Sequence, residues 1–167
     1  MIIGLLSDTH HYLDDKIFKY LEDCDEIWHG GDFGDISISD RLAEIKPLRG
    51  VYGNIDDKVV RAVHPLDQVF CCEEVKVYMT HIGGYPGRYS PHAREVIDKE
   101  KPALFICGHS HICKVMRDEK NNLLHINPGA AGVVGFHKVR TMVTLSIDKA
   151  KITDLKVIEL GKRGAIF

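Results

Sequence analysis

The chain has 167 residues, enough for one domain with a real core, and its 44% hydrophobic and 28% charged residues exclude a disordered polymer. A formal net charge of −2 leaves no basic footprint for a nucleic-acid backbone, so Lys162-Arg163 reads as solvated surface. Five cysteines, with Cys71 and Cys72 adjacent and no CxxC spacing, predict reduced thiols and a cytoplasmic setting; the opening apolar run is too short to span a membrane and has no basic flank.

Taken in order, Ile2, Ile3, Leu5 and Leu6 form a short apolar strand that stops at Ser7-Asp8-Thr9-His10. Residues 16–21 follow with helical spacing and acids near their start. Residues 26–29 form a second strand, closed by Gly30-Gly31-Asp32, and residues 37–45 a second helix that must stop near Pro47. A third strand over 48–52 ends in Gly53-Asn54-Ile55-Asp56. This alternation predicts a mainly parallel sheet whose strand ends converge on one edge.

The pattern then changes. Residues 68–72 and 76–80 read as a hairpin, followed by a glycine-rich loop from His81 to Gly87. Ser90-Pro91 opens a helix with Ala93, Val96 and Ile97 on one face. A fully apolar strand over 103–107 ends in Gly108-His109-Ser110-His111. Hairpins follow over 115–117 with 123–126, and over 141–147 with 152–160. A βαβ half and a hairpin-rich half suggest two facing sheets with helices outside.

Several strands thus end in side chains of one chemical type: oxygen donors at Asp8, Asp32 and Asn54, nitrogen donors at His10, His81, His109 and His111. Each has a plainer use. Asp at a strand end caps helices, Gly-Asp and Gly-Asn make turns, and a single His satisfies a carbonyl. Five such turns in one chain are harder to dismiss. The set suffices for two divalent ions sharing a carboxylate, an arrangement used in phosphoryl displacement. Asp56 reads as a turn residue, and His29 as one that orients a neighbour. His11 lies within reach of the site; His64, His92, His125 and His137 read as surface or packing residues. Tyr85, Arg88 and Arg140 are candidates for the wall of an entrance.

The series Asp8-x-His10, Gly31-Asp32, Gly53-Asn54, His81 and Gly108-His109-Ser110-His111 resembles the signature of calcineurin-like metallophosphoesterases. Its small size, Gly53-Asn54-Ile55-Asp56 and Asn127-Pro128-Gly129 are similar to the compact YfcE-like phosphodiesterase branch. The resemblance implies one domain over 1–167 of α/β class, a four-layer α/β/β/α sandwich of two mixed sheets. It implies that Asp8, His10, Asp32 and His111 hold one metal and Asp32, Asn54, His81 and His109 the second. The implied activity is a phosphoesterase, more a phosphodiesterase than a monoesterase, working by in-line attack of a hydroxide bridging two divalent metals. Asn54, His81 and His109 would serve catalysis, with Mn²⁺ the first choice of metal and Fe, Co, Ni or Zn compatible with the donors. The implied partner is a small phosphoester, without membrane or specific nucleic-acid binding, in a branch that often forms homo-oligomers. One position departs: many relatives carry His after the Asn, where this chain has Ile55, which transfers no proton. The alternative is a non-catalytic protein-binding scaffold of the same fold, as in a retromer subunit, although no ligand position here is eroded.

Overall fold

The computed structural model describes residues 1–164. Two five-stranded mixed sheets face one another, as the two halves of the sequence suggest. The first runs in the order β12-β11-β1-β2-β3, the second in the order β4-β5-β8-β10-β9. In the first, β1 (Ile2–Leu6), β2 (Glu26–His29) and β3 (Leu48–Gly50) are parallel. The long hairpin of β11 (Val139–Asp148) and β12 (Lys151–Lys162) adds to them, with β11 antiparallel to β1. The expectation of a mainly parallel sheet therefore holds only for its first three strands. In the second sheet β4 (Asp67–Cys72) and β5 (Val75–Thr80) form the expected hairpin. There β8 (Leu104–Ile106) lies parallel to both β5 and β10 (Leu123–Pro128), and β9 (Cys113–Asp118) closes the edge antiparallel to β10.

The two-residue period of each strand assigns its faces. Ile3, Leu5, Trp28, Val143 and Leu145 from the first sheet meet Val75, Val77, Met79, Leu104, Ile106 and Ile126 from the second in the central core. The opposite face of the first sheet, with Leu6, Ile27 and Met142, packs on Ile17 and Leu21 of α1 (Asp15–Leu21), Ile38 and Leu42 of α2 (Ile36–Ala43), and Val60 of α3 (Lys58–Val63). The outer face of the second sheet, with Tyr78, Phe105 and Leu123, is covered by Ala93 and Ile97 of α4 (Pro91–Glu100). The result is four layers, helix–sheet–sheet–helix.

Local chemistry starts each helix. Asp14, Asp35, Asp57 and Ser90 accept hydrogen bonds from the first-turn amides of α1, α2, α3 and α4, and Pro91 occupies the first turn of α4, where its missing N–H costs nothing. Two small elements lie outside the sequence reading: helix α3, and a ribbon of β6 (Gly84–Tyr85) with β7 (Arg88–Tyr89) inside the glycine-rich loop. Arg140 also departs from expectation. It does not reach an entrance; it is 1% exposed inside the fold, where its guanidinium donates to Asp14 at 2.8 Å and to the Leu160 carbonyl at 3.0 Å. A buried guanidinium keeps its charge by such pairing, which the strand pattern around Arg140 does not reveal. All five cysteines are free.

Candidate metal centre

The loops that leave β1, β2, β3, β5 and β8 meet on one edge and are bonded to one another. Amides of Asp8, His10 and His11 donate to carbonyls of Gly31, Asp32 and Phe33 at 2.9–3.0 Å. The Gly108 amide donates to the His81 carbonyl at 3.0 Å, and those of Ala131 and Gly132 donate to Ser7 and Asp8. Asp56 is buried and accepts from Gly34 at 2.9 Å and Gly53 at 2.7 Å, which ties two of the loops and fits its reading as structural. His29 is buried too; its Nδ1 accepts from the Gly31 amide, and its other nitrogen faces the Thr9 hydroxyl. Burial, with the charges of neighbouring imidazoles, holds His29 well below the usual imidazole range, so it is a neutral support for the Gly31-Asp32 turn.

These loops gather six of the seven predicted side chains into two adjoining groups: Asp8, His10 and His111; and Asp32, His81 and His109. Nε2 of His111 lies 3.2 Å from Asp8 Oδ1 and 3.2 Å from His10 Nε2. Nε2 of His81 lies 3.2 Å from Asp32 Oδ2, and that same oxygen lies 3.5 Å from His10 Nε2. Asp32 Oδ2 therefore stands between the groups. Asn54, the seventh, is exposed beside them, on a cavity wall shared with His81.

Each carboxylate has one oxygen held and one turned inward. Asp8 Oδ2 accepts from the Ser7 hydroxyl at 2.7 Å and the His109 amide at 3.1 Å, while its buried Oδ1 has no hydrogen-bond partner. Asp32 Oδ1 accepts from the Ile55 amide at 3.0 Å. His81 Nδ1 donates to the Gly30 carbonyl at 2.8 Å, which fixes the ring and leaves Nε2 buried without a partner. A backbone acceptor on one ring nitrogen is the usual way of presenting the other to a metal. Burial opposes charge on Asp8, yet His10, His111 and His81 hold its pKa well below the usual carboxylate range.

The donor set fits divalent cations. Metal–ligand bonds of about 2.1 Å put neighbouring donors roughly 3.0–3.4 Å apart. The 3.2–3.5 Å separations here are of that size, and the two orphaned atoms, Asp8 Oδ1 and His81 Nε2, point into the space between them. Oxygen with imidazole nitrogen suits transition metals better than Mg²⁺ or Ca²⁺.

A signal invisible in the sequence lies in the backbone. Asp8, His10, His11, Asp32, His109 and His111 all have positive φ, from 46° to 70°. Non-glycine residues in this region are strained and cluster at functional sites. Gly31, at φ 99°, has no room for a side chain, since a Cβ would strike the His81 ring.

The remaining sequence candidates divide. Tyr85 and Arg88 line a cavity that includes His109. His11 is exposed and paired with Asp35. His64 is buried against Ser39, and His92 is exposed beside Asp67. The His137 ring packs edge-on against His111. His125, read as surface or packing, is fully buried with neither ring nitrogen hydrogen-bonded. Its one sequence signal is a polar ring inside the apolar run from Leu123 to Ile126.

Comparison with known proteins gives the family and the fold. The profile of the calcineurin-like phosphoesterase superfamily domain matches residues 1–150. A probable metallophosphoesterase of Methanocaldococcus jannaschii is 28% identical over 139 residues, 80% of this chain and 69% of that protein. Among solved structures, wild-type Vps29 of Entamoeba histolytica complexed with zinc superposes with a TM-score of 0.75 at 14% identity, covering 98% of this chain and 100% of that one. An archaeal phosphodiesterase superposes with a TM-score of 0.73 at 20% identity, covering 96% and 100%.

Proposed function

Because the chain belongs to the calcineurin-like phosphoesterase superfamily, we propose that it is a phosphodiesterase dependent on two divalent metal ions, Mn²⁺ foremost, acting on a small phosphoester. In this reading residues 1–167 are one catalytic domain. Asp8, His10, Asp32 and His111 hold one ion, and Asp32, Asn54, His81 and His109 the other, with Asp32 shared. The observation that carries it is the pair of donor groups joined at Asp32 Oδ2, with Asp8 Oδ1 and His81 Nε2 buried and unpartnered between them.

Bound there, two cations supply Lewis-acid neutralisation of phosphate charge and an activated water at neutral pH. The chain's own residues do the positioning. Ser7 and the His109 amide turn Asp8 inward, the Ile55 amide does the same for Asp32, and the Gly30 carbonyl fixes the His81 ring. Asn54, His81 and His109 would act on the phosphate through the ion they hold, since His81 Nδ1 is already committed to the Gly30 carbonyl. Ile55 is 40% exposed and offers no proton to a departing alcohol. Substrates with good leaving groups are therefore preferred. That isoleucine also favours a second reading, a scaffold that binds protein partners through the same fold.

The deciding experiment is hydrolysis of bis(4-nitrophenyl) phosphate by chelator-stripped protein with and without added Mn²⁺. Turnover restored by the metal, and lost together with bound metal in Asp32→Ala, supports the phosphodiesterase. Metal content unchanged in Asp32→Ala refutes the shared carboxylate. No turnover with Mn²⁺, Fe, Co²⁺, Ni²⁺ or Zn²⁺ gives the scaffold reading precedence.

A further inference from the structure

On the outer face of the second sheet, beneath the β6–β7 ribbon, a cavity of about 280 Å³ opens beside His109. Its polar side chains include Tyr85, Arg88, Ser110, Lys114, His125 and Asn127, set in a mostly apolar wall, and among the described residues no carboxylate lines it. The β10 period turns His125 and Asn127 to this face, while Leu124 and Ile126 enter the central core. His125 is fully buried, and neither of its ring nitrogens has a hydrogen-bond partner. Buried polar groups are rarely left so, because desolvation is costly unless something outside the protein supplies the bond.

The two charged side chains that line the cavity, Arg88 and Lys114, are both cations, while the Asp118 carboxylate, outside the lining, also acts on His125. Lys114 places its ammonium 4.4 Å from the centre of the Tyr85 ring, and neither it nor Arg88 forms an ion pair among the described residues. The site is also coupled to the metal centre. The Asn127 amide nitrogen donates to the Gly108 carbonyl at 2.9 Å and to the Ser110 hydroxyl at 3.1 Å, holding the loop that carries His109 and His111.

Two unpaired cations, a hydroxyl and an unpartnered imidazole, with no acid among them, describe a receptor for a phosphate group. We propose that this cavity is a second phosphate subsite, taking a phosphate carried on the arm of the substrate that lies beyond the scissile ester. Diesters bearing a further phosphate are then the substrate class. The assignment of the bound group to substrate rests on the phosphodiesterase reading; the existence of the subsite does not.

Two measurements separate those claims. Zinc-loaded protein labelled with ¹⁵N-histidine is titrated with inorganic phosphate, and the His125 ring signals are followed in the wild type and in the Arg88→Met/Lys114→Met variant. The expected result is a shift of His125 in the wild type and on the order of tenfold more phosphate needed in the variant. A motionless His125, or equal titrations, overturns the subsite, because phosphate then sits on the metal centre alone. Arg88 is exposed and Lys114 half-buried, and a superimposable amide spectrum checks the fold. In the second measurement, two chromogenic diesters differ only by a terminal phosphate on the retained arm. The wild type should favour the phosphorylated one by on the order of tenfold in kcat/KM, and the double variant by less than twofold. Equal kcat/KM in the wild type overturns the substrate assignment. No turnover of either diester refutes the phosphodiesterase, while the phosphate titration still decides the subsite.

Discussion

His125 should leave a measurable mark on stability as pH falls. Burial pushes its pKa down to about 4 from the ordinary 6.5, with the nearby Lys114 charge acting in the same direction. A histidine depressed in the folded state binds its proton more readily when unfolded. Its contribution is therefore intact above pH 6.5 and is lost as pH falls toward 4. At about 1.4 kcal/mol per pH unit, the full loss is about 3 kcal/mol, of which about 2.5 kcal/mol has gone by pH 4.5. His125→Leu removes the titration without breaking any hydrogen bond, since the ring makes none, and leaves a side chain that packs on Phe105. At pH 7.5 the variant should be at least as stable as the wild type, by about 1 kcal/mol, because two unpartnered nitrogens have gone. Urea unfolding in the presence of chelator, at pH 7.5, 6.5, 5.5 and 4.5, removes metal release from both curves. The difference between the proteins should widen by about 2.5 kcal/mol over this range. Parallel stability profiles would refute the buried neutral imidazole, and with it the premise that something other than the protein satisfies this ring.

Three other perturbations probe separate joints of the structure. In Gly53→Ala the new methyl overlaps the Asp32 carboxylate and its amide; a loss of about 1–3 kcal/mol and of bound metal is expected, by thermal melting and metal analysis, and wild-type values for both would contradict the packing. Asp14→Ala strips the buried Arg140 of its carboxylate and α1 of its cap; denaturant unfolding should show a loss of about 3 kcal/mol or more, and a loss under about 1 kcal/mol would mean that the pair carries little. The Asp14 contribution runs with pH in the same direction as that of His125 but from a different cause: burial works to raise its pKa, and the Lys16 amide and Arg140 more than reverse this, so stability present above the usual carboxylate range is lost as pH falls through and below it. Ile55→His offers a proton at the rim of the site; turnover of diesters with poor leaving groups should rise about a hundredfold, and no gain would count against the account of that position.

The layers were legible because the chemistry that makes them is local. An apolar run followed by Gly and a polar residue marks a strand end, and Asp14, Asp35 and Ser90 cap the helices that follow. What escaped is set at a distance. Placing β11 beside β1 pairs Ile3 with Leu145, and no local pattern announces a partner so far along the chain. Helix α3 has one buried residue, Val60, and a run of β-branched valines that reads equally as strand. Arg140 looks like any cation until Asp14 is found beside it. The site shows the same division: its donor types stood in the sequence, whereas the left-handed backbone at Asp8, His10, Asp32, His109 and His111 did not.

That backbone is also an argument about what holds the site together. Each strained non-glycine residue costs roughly 1–2 kcal/mol, and the six here gather where carboxylates and imidazoles of similar need are crowded within a few ångströms of one another. The hydrogen bonds from Asp8, His10 and His11 to the neighbouring loop, and those that fix one oxygen of each carboxylate, offset part of that cost. None of them reaches Asp8 Oδ1 or His81 Nε2. Cations bound between these atoms would favour the folded state over the unfolded one in proportion to their affinity, so metal binding and stability are linked by mass action. The loops thus leave Asp8 Oδ1 and His81 Nε2 as donors that a bound cation would satisfy. The strands fix where such a cation would sit, and the hydrogen bonds to Asp8 Oδ2 and Asp32 Oδ1 leave the other oxygen of each carboxylate to face it.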